Sequence, residues 1–363
     1  MKKLLFIRYK KPGKILEGGE VQSKRTFDIL GRLLGVENVH PFYINDETKK
    51  KTAFDYAKGV ANFFRFYFFG LTKSRVDEIL ALSKDFDYIF IDRSVFGIIA
   101  KRLKEMGYKG KIICFFHNVE VPYFKAKIPV WAPWRWLVLK CVDKNDEFSC
   151  RYADTIIALN TRDFTEIKTR YNRAADVLIP VALKDTYQRE AYSRELTSDK
   201  PKCLFLGTYF PANADGIKWF IQHVYPKVNI QLVIVGKGMN QLKTDVSLPK
   251  EIELISDVPD LIPYLENADI MVLPIFKGSG MKVKTCESLM YGKNIIGTTE
   301  AFEGYELAFD LVGGCCNTED EFIEKLQDYE ANSRPKFNQY ARSVFLTKYS
   351  ESSIVGLFRQ VLM

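Results

Sequence analysis

The sequence has no apolar run long enough to cross a bilayer, so its 363 residues do not read as an integral membrane protein. The apolar stretch in Met1-Lys-Lys-Leu-Leu-Phe-Ile-Arg8 is too short for a secretory signal and reads instead as the first strand of a sheet. There is no Cys-x-x-Cys pair. The seven cysteines, at 114, 141, 150, 203, 286, 315 and 316, are odd in number, lack metal-ligand spacing and sit mostly in apolar segments. A disulfide framework and a zinc site are thereby disfavoured, and reduced thiols in a cytosolic protein are expected. Tandem repeats and low-complexity tracts are also missing. Histidine is scarce, with three in the chain. Asp85-Phe-Asp87 has the form of a metal-binding Asp-x-Asp, but it precedes a strand as a polar lead-in and reads as structural.

What is present is a soluble composition, 47% apolar and 27% charged, in a chain long enough for two α/β domains. Charge is uneven. Residues 1–200 carry 37 Lys+Arg against 25 Asp+Glu, while the remainder carries 16 against 20. A basic first half suggests an anionic partner there. A membrane surface and a lipid phosphate fit that description. Nucleic acid ranks lower because no recognised binding motif is present.

Short continuous apolar runs mark strands at Leu4–Ile7, Tyr88–Ile91, Lys111–Phe116, Thr155–Leu159 and Val177–Val181. Such runs are expected when helices cover both faces of a parallel sheet. The polar stretch Asp185 to Pro201 interrupts them. The alternation restarts at Cys203–Leu206, Leu232–Val235, Ile252–Ile255, Ile270–Pro274 and Asn294–Thr298. The expected fold is α/β, two Rossmann-like domains facing across a cleft. The expected boundaries are 1–184 for the first domain, 185–201 for the linker, 202–345 for the second domain and 346–363 for a C-terminal helix.

The most informative segment runs from Ala268 to Thr299: a buried strand, a Gly-rich loop, a helix closed by Gly292, and a second buried strand. Gly278-Ser279-Gly280-Met281 leads into a helix start, where backbone N–H groups and the helix dipole favour an anion. Lys282 and Lys284 stand at that same positive end, an anomaly unless an anion sits there. Glu287 lies on the edge of the helix's apolar face and needs a partner. Cations for a diphosphate and an acceptor for a diol together describe a nucleotide.

This segment, continued by Glu303-Gly304, resembles the donor-binding core of family-4-type retaining glycosyltransferases, which use nucleotide-sugars on the two-domain fold called GT-B. Gly207-Thr208-Tyr-Phe-Pro-Ala-Asn213 with Trp219-Phe220 is similar to a second family segment, and His117-Asn118-Val119-Glu120 to a third. Gly18-Gly19-Glu20, after the first strand, matches the loop that these enzymes place against the donor's phosphate. The resemblance implies a hexosyltransferase-type enzyme acting with retention in polysaccharide or glycolipid assembly, with no cofactor and no catalytic metal. It gives Lys284, Glu287 and His117 the catalytic roles. Gly18, Gly19, Gly207, Thr208, Gly278, Ser279, Gly280, Met281 and Lys282 would bind the donor, and His117 with Gly18 and Gly19 would close the site from the first domain. Two departures stand out. Ser279 occupies the position of the family's first glutamate, and no Arg or Lys lies between Gly207 and Lys218.

Two basic-aromatic segments, Lys58 to Arg75 and Lys125 to Lys140, suit either the headgroup level of a bilayer or a domain core. The expected partners are therefore a nucleotide-sugar donor, a saccharide or lipid-linked acceptor and an anionic membrane surface. The expected location is cytoplasmic, including the inner face of the membrane. A nucleotide-sugar epimerase and a non-catalytic sugar- or nucleotide-binding protein of the same fold remain as alternatives. Gly236-Lys-Gly238 lacks the third glycine of a dinucleotide fingerprint and does not support a dehydrogenase.

Overall fold

The structure is a computed structural model that describes residues 2–11, 18–45, 61–68, 70–188, 200–278, 280–331 and 335–363. They form two compact units, Met1–Pro180 with Ile354–Met363, and Val181–Ser353. Ser279, residues 46–60 and residues 189–199 of the expected linker lie outside the described residues.

The first unit is built on a parallel sheet of β1 (Leu4–Arg8), β2 (Val39–Tyr43), β3 (Tyr88–Ile91), β4 (Lys111–Phe116), β5 (Thr155–Ala158) and β6 (Val177–Leu178). Their order is β2-β1-β3-β4-β5-β6. The central strands are apolar and buried along their length, as a sheet covered on both faces requires. Apolar periodicity did not reveal β2, since His40 and Pro41 stand outward in it. At the sheet edge, paired only with β1, a proline costs no ladder bond on its open side. Asn145 is buried and fully used: it accepts from the Ile98 amide and donates to the Phe66 and Cys141 carbonyls. The C-terminal helix Glu351–Leu362 ends on this unit, where Tyr88 and Lys111 donate to the carbonyls of Leu362 and Val361 at 2.6 and 2.8 Å.

The second unit is a parallel sheet of β7 (Lys202–Leu206), β8 (Gln231–Gly236), β9 (Glu253–Ser256), β10 (Ile270–Leu273), β11 (Asn294–Gly297) and β12 (Gly313–Cys315). The order is β12-β11-β10-β7-β8-β9. From β7 the chain steps outward to β8 and β9, then returns to β10 on the other side of β7. The point between β7 and β10 is therefore the topological switch point, beyond whose carboxyl ends open α/β sheets bind ligands. The expected strands appear here with β9 one residue later than the apolar run suggests. The Gly-Gly-Cys strand β12 carries no side-chain signal that periodicity could have shown.

One contact fixes the helix after β7 against the carboxyl end of β10, and a second ties the opposite, amino ends of β10 and β11. Gly216, in the helix Pro211–Trp219, lies so close to the end of β10 that a Cβ would sit 1.8 Å from the Pro274 carbonyl oxygen. Lys293 is buried just before β11 and donates to the carbonyls of Glu266 and Ala268 at 3.1 and 2.8 Å, at the C-terminus of the helix Ile262–Asn267. Gly216→Ala should lower unfolding stability by about 1–3 kcal/mol through overpacking. A urea melt with unchanged midpoint would show that this helix shifts freely.

Candidate functional site

Beyond β7 the chain turns through Gly207 and Thr208 into the helix Pro211–Trp219; beyond β10 it passes Gly278 and Gly280 into the helix Val283–Met290. The second helix starts without a side-chain cap, because its N-cap residue, Lys282, can donate but not accept, and no acidic residue lies in its first turn. Gly292, in the left-handed conformation at φ 56°, closes it. The loop after β11 buttresses the helix start: Thr285 donates to the Ala301 carbonyl at 2.7 Å, and Tyr305 to the Lys282 carbonyl at 2.7 Å.

The two lysines at this helix start have different surroundings. Lys282 is ion-paired with Glu300 at 2.5 Å and donates to the Gly280 carbonyl at 2.8 Å. Part of the anion that the sequence calls for is thus supplied by the chain itself. Lys284 has no ion pair within 4 Å among the described residues. Its Nζ donates to Asn213 Oδ1 at 2.8 Å and stands 4.8 Å from the centroid of the Phe205 ring. Asn213 in turn donates to the Thr208 carbonyl at 2.8 Å, so one amide ties Lys284 to the loop after β7. Gly207 closes this side: a Cβ there would come within 3.1 Å of Nζ.

Burial, with Lys282 as a nearby like charge, lowers the Lys284 pKa to about 7, opposed only by Glu287. Glu287 follows three residues later, one turn along the same face. It is half-buried, and its carboxylate accepts no hydrogen bond among the described residues. Burial raises its pKa and Lys284 lowers it. A cation poised near neutrality therefore sits beside a carboxylate that takes no donor from the described residues, at a helix start whose first N–H groups have no intrahelical acceptor.

Eight expected residues meet here: Gly207, Thr208, Gly278, Gly280, Met281, Lys282, Lys284 and Glu287. Met281 offers only backbone, because its sulfur faces the Val181 amide at 3.4 Å. Asn213, Phe205 and Glu300 were not among the expected site residues. Asn213 belongs to the quoted Gly207–Asn213 segment, so its place in a motif was the available signal. Nothing in the sequence marks Glu300 as the partner of Lys282, 18 residues away.

Of the other expected residues, Ser279 lies outside the described residues, and three belong to the first unit. His117 follows β4 and is buried, its Nε2 3.2 Å from Asp92 Oδ1, with the Phe115 ring edge-on at 4.9 Å. Gly18 and Gly19 open the helix Gly18–Leu34 rather than forming a loop before it, and open space surrounds the Cβ position of Gly19. Asp87, the second aspartate of Asp-Phe-Asp, accepts from the Lys3 amide at 2.8 Å. Among the described residues no group of three or more His, Cys, Asp or Glu could hold a metal ion. None of the seven cysteines is bonded, and burial pushes the Cys114 thiol up to about 12.

Residues 200–330 match the model of the family described as glycosyl transferases group 1. No curated protein matches the sequence. Solved structures match along the whole chain. Sucrose-phosphate synthase from Thermosynechococcus elongatus is 13% identical with a TM-score of 0.71, covering 100% of this chain and 99% of its own. Anabaena HepE in complex with UDP-glucose is 12% identical with a TM-score of 0.67 and the same coverage, 100% and 99%. The lipopolysaccharide outer core galactosyltransferase WaaB is 15% identical with a TM-score of 0.64, covering 99% of each chain. With two parallel six-stranded sheets, these likenesses give the chain the GT-B fold. The family match lies within the second unit, and the fold extends over the whole chain.

The geometry predicts that Lys284 titrates near pH 7 in the ligand-free protein. NMR of ¹³C-labelled lysine, assigned through the signal lost in Lys284→Met, reads this directly. Asn213→Leu, which removes the acceptor of the ammonium, should lower the midpoint further. A midpoint near the ordinary lysine value of about 10.4 would contradict the site as described.

Proposed function

We propose that the chain transfers a hexose from a nucleotide diphosphate-sugar to a saccharide or lipid-linked acceptor, with retention of anomeric configuration. The observation that carries this reading is the pair Lys284 and Glu287 at the switch point of the second sheet. Lys284, held by Asn213 and lacking a counter-ion, is matched to a diphosphate. Glu287, lacking a hydrogen-bond donor, is matched to the two hydroxyls of a ribose.

In this reading the bond between the anomeric carbon and the β-phosphate oxygen breaks, and that oxygen keeps the electron pair. Lys284 and the amides of Gly278 to Met281 stabilise the growing charge, where preorganised donors act most strongly. Lys282 contributes less, because Glu300 already compensates it. The acceptor oxygen bonds to the anomeric carbon on the face that the phosphate leaves, and its proton passes to the departing phosphate. The reaction in this reading needs no metal. The epimerase alternative gains no support from the family match or from the similar structures.

Thermal unfolding against UDP, GDP, ADP, CMP and dTDP, each with and without EDTA, tests the reading. One nucleotide at a hundred times its Kd should add about 2.7 kcal/mol of stability, independent of EDTA. Glu287→Ala should weaken that nucleotide by about tenfold to a hundredfold, the worth of one or two charge-assisted hydrogen bonds. Lys284→Ala should lower kcat by about 10²–10³, as loss of one preorganised donor does. Full transfer activity in either variant would overturn the assigned roles, and a shift from none of the five nucleotides would overturn the donor class.

A further inference from the structure

The basic-aromatic segment after β4 joins the core of the first unit through its aliphatic residues and not through its tryptophans. The loop between the helices Glu120–Lys127 and Arg135–Tyr152 is anchored by Ile128 and Ala132, which are buried at 7% and 5% exposure. Between and beside them, Val130 and Trp131 stand 82% and 83% exposed, and Trp134 and Trp136 52% and 57%. Folding for a core would bury the tryptophans before the alanine; this loop does the reverse. Pro129 and Pro133 restrict it, and bonds from Ala132 and Arg135 to the carbonyls of Pro129 and Ala132 hold its turns. Phe64, 60% exposed, extends the patch, its ring 6.1 Å from that of Trp136.

Along this segment the charge has one sign. Between Glu120 and Asp143 there is no acidic residue, while Lys125, Lys127, Arg135 and Lys140 all fall within that stretch. Lys125 and Lys140 are exposed and have no ion pair among the described residues. Arg135 donates to the Lys125 carbonyl at 3.1 Å, joining the two helices that carry the cations. No helix among the described residues is long and apolar enough to cross a membrane, so the patch suits contact with a surface rather than insertion. Indole rings on a rigid loop with cations beside them match the interface of an anionic bilayer, where the ring is half-immersed and the ammonium meets lipid phosphate. A protein partner would have to be acidic and flat to complement the same patch.

We propose that the loop 128–136, with Phe64, docks the first unit on an anionic lipid surface. This inference is independent of the transfer reaction and holds or fails without it. Three of the four tryptophans lie in the patch, and the fourth, Trp219, packs against Phe276 and Phe322 in the second unit, so intrinsic fluorescence reports docking.

The full chain should sediment with vesicles of phosphatidylcholine containing a third phosphatidylglycerol, and not with phosphatidylcholine alone. Its emission should shift to the blue and be quenched by brominated lipid. W131S/W134S/W136S changes only exposed positions; with an unchanged thermal midpoint it should bind at least tenfold more weakly. Each of K125E and K127E should cost about fivefold or more at low salt, the worth of one basic residue at such a surface. Failure of the wild type to bind, or equal binding by the tryptophan variant, would overturn the proposal. So would a concentration-dependent dimer that the tryptophan variant abolishes, which would assign the patch to a second copy of the chain.

Discussion

The site rests on one hydrogen bond, from the Lys284 ammonium to the Asn213 amide oxygen. It joins the helix after β7 to the helix after β10 across the switch point of the sheet. A hydrogen bond to a charged group is worth about 1.5–3 kcal/mol net. Removing an ammonium from water costs several kcal/mol. With no carboxylate in contact, the bond cannot hold the full charge, and the lysine rests near neutrality. Lys282, two residues earlier, shows the contrast. Paired with Glu300, it acts as part of the scaffold. The same helix end therefore carries one lysine paired with a carboxylate and one held only by an amide, and the second has more to offer a ligand.

Much of this was legible in the sequence, for physical reasons. Continuous apolar runs identify strands buried on both faces, so β1, β3, β4, β5, β7, β8, β10 and β11 could be read directly, and the edge strands β6 and β9 with shifted bounds. The edge strands β2 and β12 could not. One contains a proline and an outward histidine, and the other is Gly-Gly-Cys; neither needs an apolar run, since one side of each is open. Lysines at a helix start and a carboxylate on its inner edge were visible as anomalies of charge. Their partners were not. Asn213 and Glu300 reach Lys284 and Lys282 over 71 and 18 residues, and only the strand order brings them close.

The two units spend their charged and aromatic residues differently. In the second, the cations turn inward to the switch point, and Trp219 fills a ring cluster with Phe276 and Phe322. In the first, the sheet core is closed by Ile128, Ala132 and their neighbours, leaving three tryptophans and their flanking cations at the surface. The basic excess of residues 1–200 is thus in part a local feature, concentrated where the aromatic rings are exposed. Composition alone could not separate a buried aromatic segment from a displayed one, because both have the same residues. The difference lies in which of them the prolines and small anchors turn inward.

The central claim is that Lys284 waits for the charge of a nucleotide diphosphate. Calorimetric titration of the bound nucleotide in buffers of different ionisation heat measures it most directly. Free Lys284 is half-protonated near pH 7, and an adjacent diphosphate raises its pKa, so binding above pH 7 must take up a proton. Uptake approaching one proton at pH 8, with affinity constant below about pH 7 and falling above it, is the expected result. Binding that takes up no proton at pH 8 and is equally tight at pH 7 and pH 8 would contradict the account.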